Sequence, residues 1–214
     1  MEKLDLFQVS LRPNANGFMT LSESMESRSL ELITKVRHES GASTEAVASS
    51  IFMRRFGFFI SAQLYLLAHQ QIWAGPLNQV HLIVAEYGIA FEVDEKWLRP
   101  RREGDLELVL KDYAWPVVES FRKIGPISKL ILWENIWGYV IWMYGMENSA
   151  QAEQDLQALL DDTLWQPEIR KSYFKQFLGG HSLKQSKAEY KRITCCLYKE
   201  LPETDKCPYC PLRK

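Results

Sequence analysis

All four cysteines of this 214-residue chain fall in its last twenty positions, as Cys195, Cys196, Cys207 and Cys210. Cysteines that fill a core or staple a secreted disulfide framework would be spread along the chain. Thiols gathered in this way point to a metal ion, an iron–sulfur cluster or a redox dithiol. The spacing is Cys-Cys, ten residues, Cys, two residues, Cys. A loop of that length closes at modest entropic cost, so the two pairs can meet. Pro202, Pro208 and Pro211 restrict the backbone around them. Four thiolates at one place can hold Zn²⁺ or an iron–sulfur cluster. Zinc knuckles leave about two to four residues between paired cysteines, which turns both side chains toward one ion. The vicinal Cys195 and Cys196 diverge on an extended backbone and suit a larger, two-iron centre better. Two rival readings use the same residues. A zinc-knuckle-stabilised binding module would be colourless and lose structure with chelators. A dithiol oxidoreductase using Cys207 and Cys210 would need no metal and would carry a low-pKa thiol.

The residues around the cysteines sharpen this. Arg192-Ile193-Thr194-Cys195-Cys196-Leu197-Tyr198, then Leu201-Pro202, then Cys207-Pro208-Tyr209-Cys210-Pro211-Leu212, resembles the C-terminal signature of FhuF-like ferric siderophore reductases. Upstream, Trp133-Glu134-Asn135 looks like the Trp-x-Asn element of that family, many of whose members carry Gly where this chain has Glu134. The likeness is sharp over about residues 189–212, loose over roughly 45–180, and absent from the first forty. It implies a [2Fe–2S] cluster ligated by Cys195, Cys196, Cys207 and Cys210. It implies one-electron reduction of Fe³⁺ held in a siderophore, with the hydroxamate type favoured, in the cytoplasm. Fe²⁺ is held far less tightly by hard anionic oxygen donors, so reduction releases the iron. The chain shows no Gly-rich dinucleotide fingerprint and no flavin signature. The electron is therefore expected from a ferredoxin- or flavodoxin-type partner.

A ferric siderophore is large, polar and often anionic, so its site should be an open cleft near the cluster with basic and aromatic groups. The candidates are Arg192, Lys199 and Arg213, then Trp133 and Asn135, then Arg54 and Arg55. Each has a plainer reading. Trp133, Trp137 and Trp142 share one helix and suit a core. Asn135 suits a helix surface or cap. Arg54 and Arg55 suit a solvated face or an ion pair with the acidic 150–162 helix. His38, His69, His81 and His181 make no metal-binding pattern, and neither a Gly-x-Ser-x-Gly elbow nor a P-loop is present.

Composition sets the frame. With 26 basic and 27 acidic residues the net charge is −1, which gives no electrostatic reason to bind nucleic acid or anionic lipid. The charge is uneven. Residues 181–214 carry eight basic and four acidic side chains, net +4, which leaves −5 on residues 1–180. The N-terminal residues, broken by Glu2, Lys3 and Asp5, do not read as a signal peptide. The longest apolar run, Ile136 to Met146, is eleven residues, where a membrane span needs about 20.

The elements that must position the cysteines follow from pattern and punctuation. Residues 1–19 read as a strand or extended arm. Thr20-x-x-Glu23 predicts a capping box for a helix through His38, broken by Gly41. Thr44 to Trp73 reads as one long helix ended by Gly75-Pro76. Val80–Val84 and Ile89–Val93 flank Tyr87-Gly88 as a hairpin, Asp94–Gly104 as a loop, and Leu106–Leu110 as a third strand. Further helices are expected at Pro116–Lys123, Ile127–Met146, Ala150–Trp165 and Pro167–Leu178. The expected fold is α+β: a mainly helical body with a small antiparallel sheet over residues 1–180, and a basic cluster-binding segment, 181–214, packed on it.

Overall fold

The computed structural model describes residues 2–86 and 88–213, with backbone alone at Glu2 and Lys3. The fold is α+β. Its strands are β1 (Val9–Arg12), β2 (Met19–Thr20), β3 (Gln71–Trp73), β4 (Val80–Ala85), β5 (Gly88–Asp94) and β6 (Leu98–Pro100). The main sheet runs β1-β5-β4-β2. The expected hairpin is β4–β5, in register from Val80 opposite Val93 to Ala85 opposite Gly88; Tyr87, in its turn, lies outside the described residues. The sheet is mixed rather than antiparallel, because β1 lies parallel to β5. Parallel neighbours need a long connection, and the helices between Arg12 and Gly88 supply it. The start of the chain is not fully extended, since a 3₁₀ turn, Glu2–Phe7, precedes β1.

The expected capping box forms. The Glu23 amide donates to Thr20 Oγ1 at 3.2 Å, and the Thr20 amide donates to the Glu23 carboxylate at 2.6 Å. The helix it starts is broken into α1 (Leu21–Met25) and α2 (Ser29–Ser40), and α2 ends on left-handed Gly41. α3 (Glu45–Ala68) begins on the Thr44 cap and stops short of Trp73. Gln70 turns left-handed at φ 61°. The chain then leaves as β3, which pairs antiparallel with β6. The expected 94–104 loop therefore contains a strand.

Leu106–Leu110 is not a strand. α4 (Asp105–Glu107) runs through a π-helical stretch, Leu108–Ala114, into α5 (Trp115–Ile124), with Pro116 in its first turn. A five-residue alternation cannot separate strand from helix. Val109, Leu110, Tyr113, Val117, Val118 and Phe121 are all buried at helical spacing.

The centre of the molecule is α3 against α6 (Lys129–Met146). Gly57 permits the close approach: a Cβ there would sit 2.8 Å from the Tyr139 ring and 3.0 Å from the Asn135 carbonyl. By length and composition α3 could cross a membrane, but 72% of its apolar stretch is buried inside the protein. Phe56 and Phe59 carry this core to Phe91 of the sheet, with ring centroids 6.3 and 5.4 Å apart.

The rest is α7 (Ala150–Leu160), α8 (Asp162–Trp165), α9 (Tyr173–Gln176) and α10 (Leu183–Ala188). α9 is shorter than the expected 167–178 helix. The acidic α7 does not meet Arg54 or Arg55. Its Asp155 takes both arms of Arg101 at 2.6 and 2.7 Å, and Glu153 pairs with Lys187 at 2.8 Å.

Candidate functional site

The cysteine-bearing segment has little regular structure after α10, only a 3₁₀ turn at Tyr198–Glu200. Point contacts hold it to α3 and α6. The Ser50 hydroxyl of α3 donates to the Cys196 carbonyl at 2.7 Å. Asn135 of α6 donates through Nδ2 to the Ser50 hydroxyl and carbonyl, both at 2.9 Å. The Arg192 amide donates to the Tyr209 carbonyl at 3.0 Å and ties the two halves of the segment together. Pro202, in the intervening loop, lies against Gly41 at the end of α2.

Cys196, Cys207 and Cys210 are buried in one cluster, and the half-buried Cys195 packs against it with Tyr198. All four thiols are free. Cys196 Sγ and Cys207 Sγ are 3.7 Å apart, too far for a disulfide bond of about 2 Å. Two sulfurs about 2.3 Å from one tetrahedral metal stand about 3.8 Å apart, so this pair has the spacing of shared ligation. Among the described residues, no three His, Cys, Asp or Glu side chains converge as a single-ion site. Burial first, and then the neighbouring Cys196, push the Cys207 thiol up to about 11. Burial also raises the Cys195 thiol. Ionised sulfurs here therefore need a positive partner.

An open cleft of about 540 Å³ exposes part of this cluster. Cys196, Cys207 and Tyr209 form one wall, Arg54 and Phe58 of α3 a second, and Asn135, Tyr139 and Trp142 of α6 a third. Arg54 Nη1 lies 3.9 Å from Cys196 Sγ, and its guanidinium covers the Tyr198 ring at 4.8 Å. Burial opposes the Arg54 charge, but Tyr139 and the sulfurs of Cys196 and Cys207 outweigh it, so its pKa is raised.

The expected substrate residues divide. Arg54 and Asn135 line the cleft. Asn135 is buried rather than on a surface, and its Oδ1 finds no hydrogen-bond partner among the described residues. Arg192 also reaches the cleft but is only 8% exposed, paired with Glu134 at 3.5 Å. Arg55 turns away and donates to Gln8 at 3.4 Å. Trp133 is fully buried against Trp165 and Tyr173. Lys199 pairs with Glu200, and Arg213 pairs with Asp205 at 3.6 Å, both off the cleft wall. Lys214 lies outside the described residues. Aromatic groups are expected in the cleft, but the sequence does not single out Phe58, Tyr139, Tyr190 and Tyr209, which line it. Their one sequence signal is that Phe58 falls a helical turn after Arg54, and Trp142 three residues after Tyr139.

Comparison with protein-family models gives no match, and comparison with curated proteins gives none either.

Proposed function

We propose that the chain is a cytoplasmic ferric-siderophore reductase whose four cysteines hold a [2Fe–2S] cluster at one wall of the cleft. The observation that carries this reading is the cleft itself: a cysteine cluster opens onto a space lined by Arg54, whose guanidinium faces sulfur, and by several aromatic rings. A single zinc ion asks four ligands to converge, whereas a two-iron centre asks for two pairs. Cys196 with Cys207 makes one pair, and Cys195 with Cys210, near enough to feel each other's charge, is left for the other.

When bound, the cluster supplies one electron at a potential set by ligation, hydrogen bonding and exposure. The chain's own residues do the rest. Cys196 and Cys207 bring that donor to the cleft wall. Arg54 offsets negative charge, whether on the sulfurs or on an anionic ferric ligand resting above them. Phe58, Trp142 and Tyr209 give such a ligand's apolar parts a surface that excludes water. One electron reaching a bound Fe³⁺ would give Fe²⁺, which the hard oxygen donors hold far less tightly. A ferredoxin- or flavodoxin-type partner would replace the electron.

The test is an absorption spectrum with iron, sulfide and zinc quantitation on protein purified without oxygen. Visible bands that bleach with dithionite, at about two irons per chain, and that return on adding a ferric trihydroxamate, are expected. A colourless protein with about one zinc per chain would promote the binding module. The dithiol reading, by contrast, expects a reactive Cys207, and its burial works against that.

A further inference from the structure

Glu134 lies on α6, one residue before Asn135, and is completely buried. Its side chain faces the irregular segment that leads into the cysteines. Oε1 accepts from the Ile193 amide at 2.6 Å. Oε2 accepts from the Thr194 amide at 2.7 Å and from the Thr194 hydroxyl. The Arg192 guanidinium stands 3.5 Å from Oε2 and donates through Nε to the Thr194 carbonyl at 3.0 Å. Three consecutive residues thus converge on one carboxylate, and the next residue is Cys195. Every partner is a donor, so the group acts as a charged acceptor. Hydrogen bonds to such groups are about twice as strong as neutral ones.

We propose that Glu134 is the positioning residue of the cysteine centre: its carboxylate fixes the backbone that presents Cys195 and Cys196, and its negative charge lowers the reduction potential there. The second half rests on the cluster reading above; the first half does not. Arg192 offsets the charge from one side only, at a distance longer than a tight ion pair. Among the resemblance-derived candidates, Arg192 is thereby explained as Glu134's counter-charge rather than a substrate contact.

The experiment compares the wild type with Glu134→Gln and Thr194→Val in the full chain, by residue-resolved amide hydrogen exchange and by dye-mediated redox titration. Gln keeps one acceptor and turns an NH₂ against the Ile193 or Thr194 donor. Loss of a hydrogen bond to a charged group makes these two amides exchange roughly tenfold to a hundredfold faster. The midpoint potential of the loaded variant moves to a more positive value. Thr194→Val deletes only the hydroxyl contact and keeps the buried charge, so it covers the case in which Glu134→Gln does not fold. It is expected to speed the same amides several-fold. Unchanged exchange at Ile193 and Thr194 in every variant that folds would overturn the clamp. Faster exchange with an unchanged potential would overturn the electrostatic half. If the wild type holds no iron–sulfur chromophore, the cluster reading fails, while exchange still decides the clamp.

Discussion

At the residue scale, the cysteines depend on side chains more than 50 positions away in sequence. Ser50 is the hub: it receives Asn135 and donates to the Cys196 carbonyl. Ser50→Ala leaves a buried amide and a buried carbonyl each without one partner. It is expected to lower stability by about 2 kcal/mol, read as a shift in urea midpoint with unchanged slope. Iron content per chain should fall with it. Arg54 makes a different prediction. Its guanidinium touches sulfur and rings rather than carboxylates, so Arg54→Gln should weaken binding of an anionic ferric ligand by about tenfold, a shift of about 1.4 kcal/mol. The salt dependence of KM should flatten. Arg55→Gln, whose guanidinium is turned to Gln8 and lines a different cleft, should change neither. The sequence places these two arginines side by side and cannot rank them, because consecutive helix residues point about 100° apart. Which one meets the cysteines depends on the rotation of α3 against α6. The Trp-x-Asn element is a similar case. The pattern marks Trp133 and Asn135 as a pair, yet one ends in the core and the other beneath the cleft.

At the element scale, the α3–α6 contact positions everything else, and Gly57 is its narrowest point. Gly57→Val would drive a branched side chain into the Tyr139 ring and the α6 backbone. Over-packing of this kind should cost about 2–3 kcal/mol and tilt Tyr139 and Asn135 together at the cleft. A cooperative melt at lower temperature with reduced iron loading is the expected result. Farther from the site, β6 is fastened to the start of α4 by Arg99, which donates to both oxygens of Asp105 at 2.8 and 2.7 Å. Burial raises the Asp105 pKa, but Arg99 and the Arg102 amide outweigh it and leave it depressed. A depressed carboxyl stabilises above its unfolded value of about 4 and loses that contribution as pH falls through the folded value. Asp105→Asn should therefore be clearly less stable than the wild type at pH 7, and the gap should close toward pH 3. Punctuated elements were legible from sequence: Thr20 with Glu23, Thr44, Gly41, and the β4–β5 hairpin. Elements defined by their partners were not. β3 is three residues that become a strand only because β6 lies beside them, and Gln70 supplies a left-handed turn with no glycine to announce it. Leu106–Leu110 alternates like a strand, but Val109, Tyr113 and Phe121 need a helix to reach the same core.

At the scale of the whole molecule, the body and the C-terminal segment are stabilised in different ways. The body has a continuous core from β5 through α3 and α6 to Trp165 and Phe174. Residues 189–213 contribute almost no regular structure and hold their place through Glu134, Ser50, the Gly41–Pro202 contact, the cysteines themselves, and the half-buried Tyr190, Leu197 and Leu201 laid against the edge of the core. Local stability follows the density of such contacts, so the segment should open far more readily than the body. If the thiols share a metal centre, that centre closes the loop between Cys196 and Cys207 and adds its binding free energy to the segment alone. Stripping it with a chelator under reducing, oxygen-free conditions should then raise amide exchange over 189–213 by a hundredfold or more, since even about 3 kcal/mol of lost binding is that large. Amides of α3 and α6 should keep their protection, and the thermal transition of the body should move little. Were α3 to lose protection in step with the segment, the cysteines would belong to the global folding unit. The contacts favour the first outcome. The bonds from the segment to Glu134 and Ser50, and the half-buried Tyr190, Leu197 and Leu201, meet the α3–α6 core at its edge, so a centre built there can be loaded onto a body that is already folded.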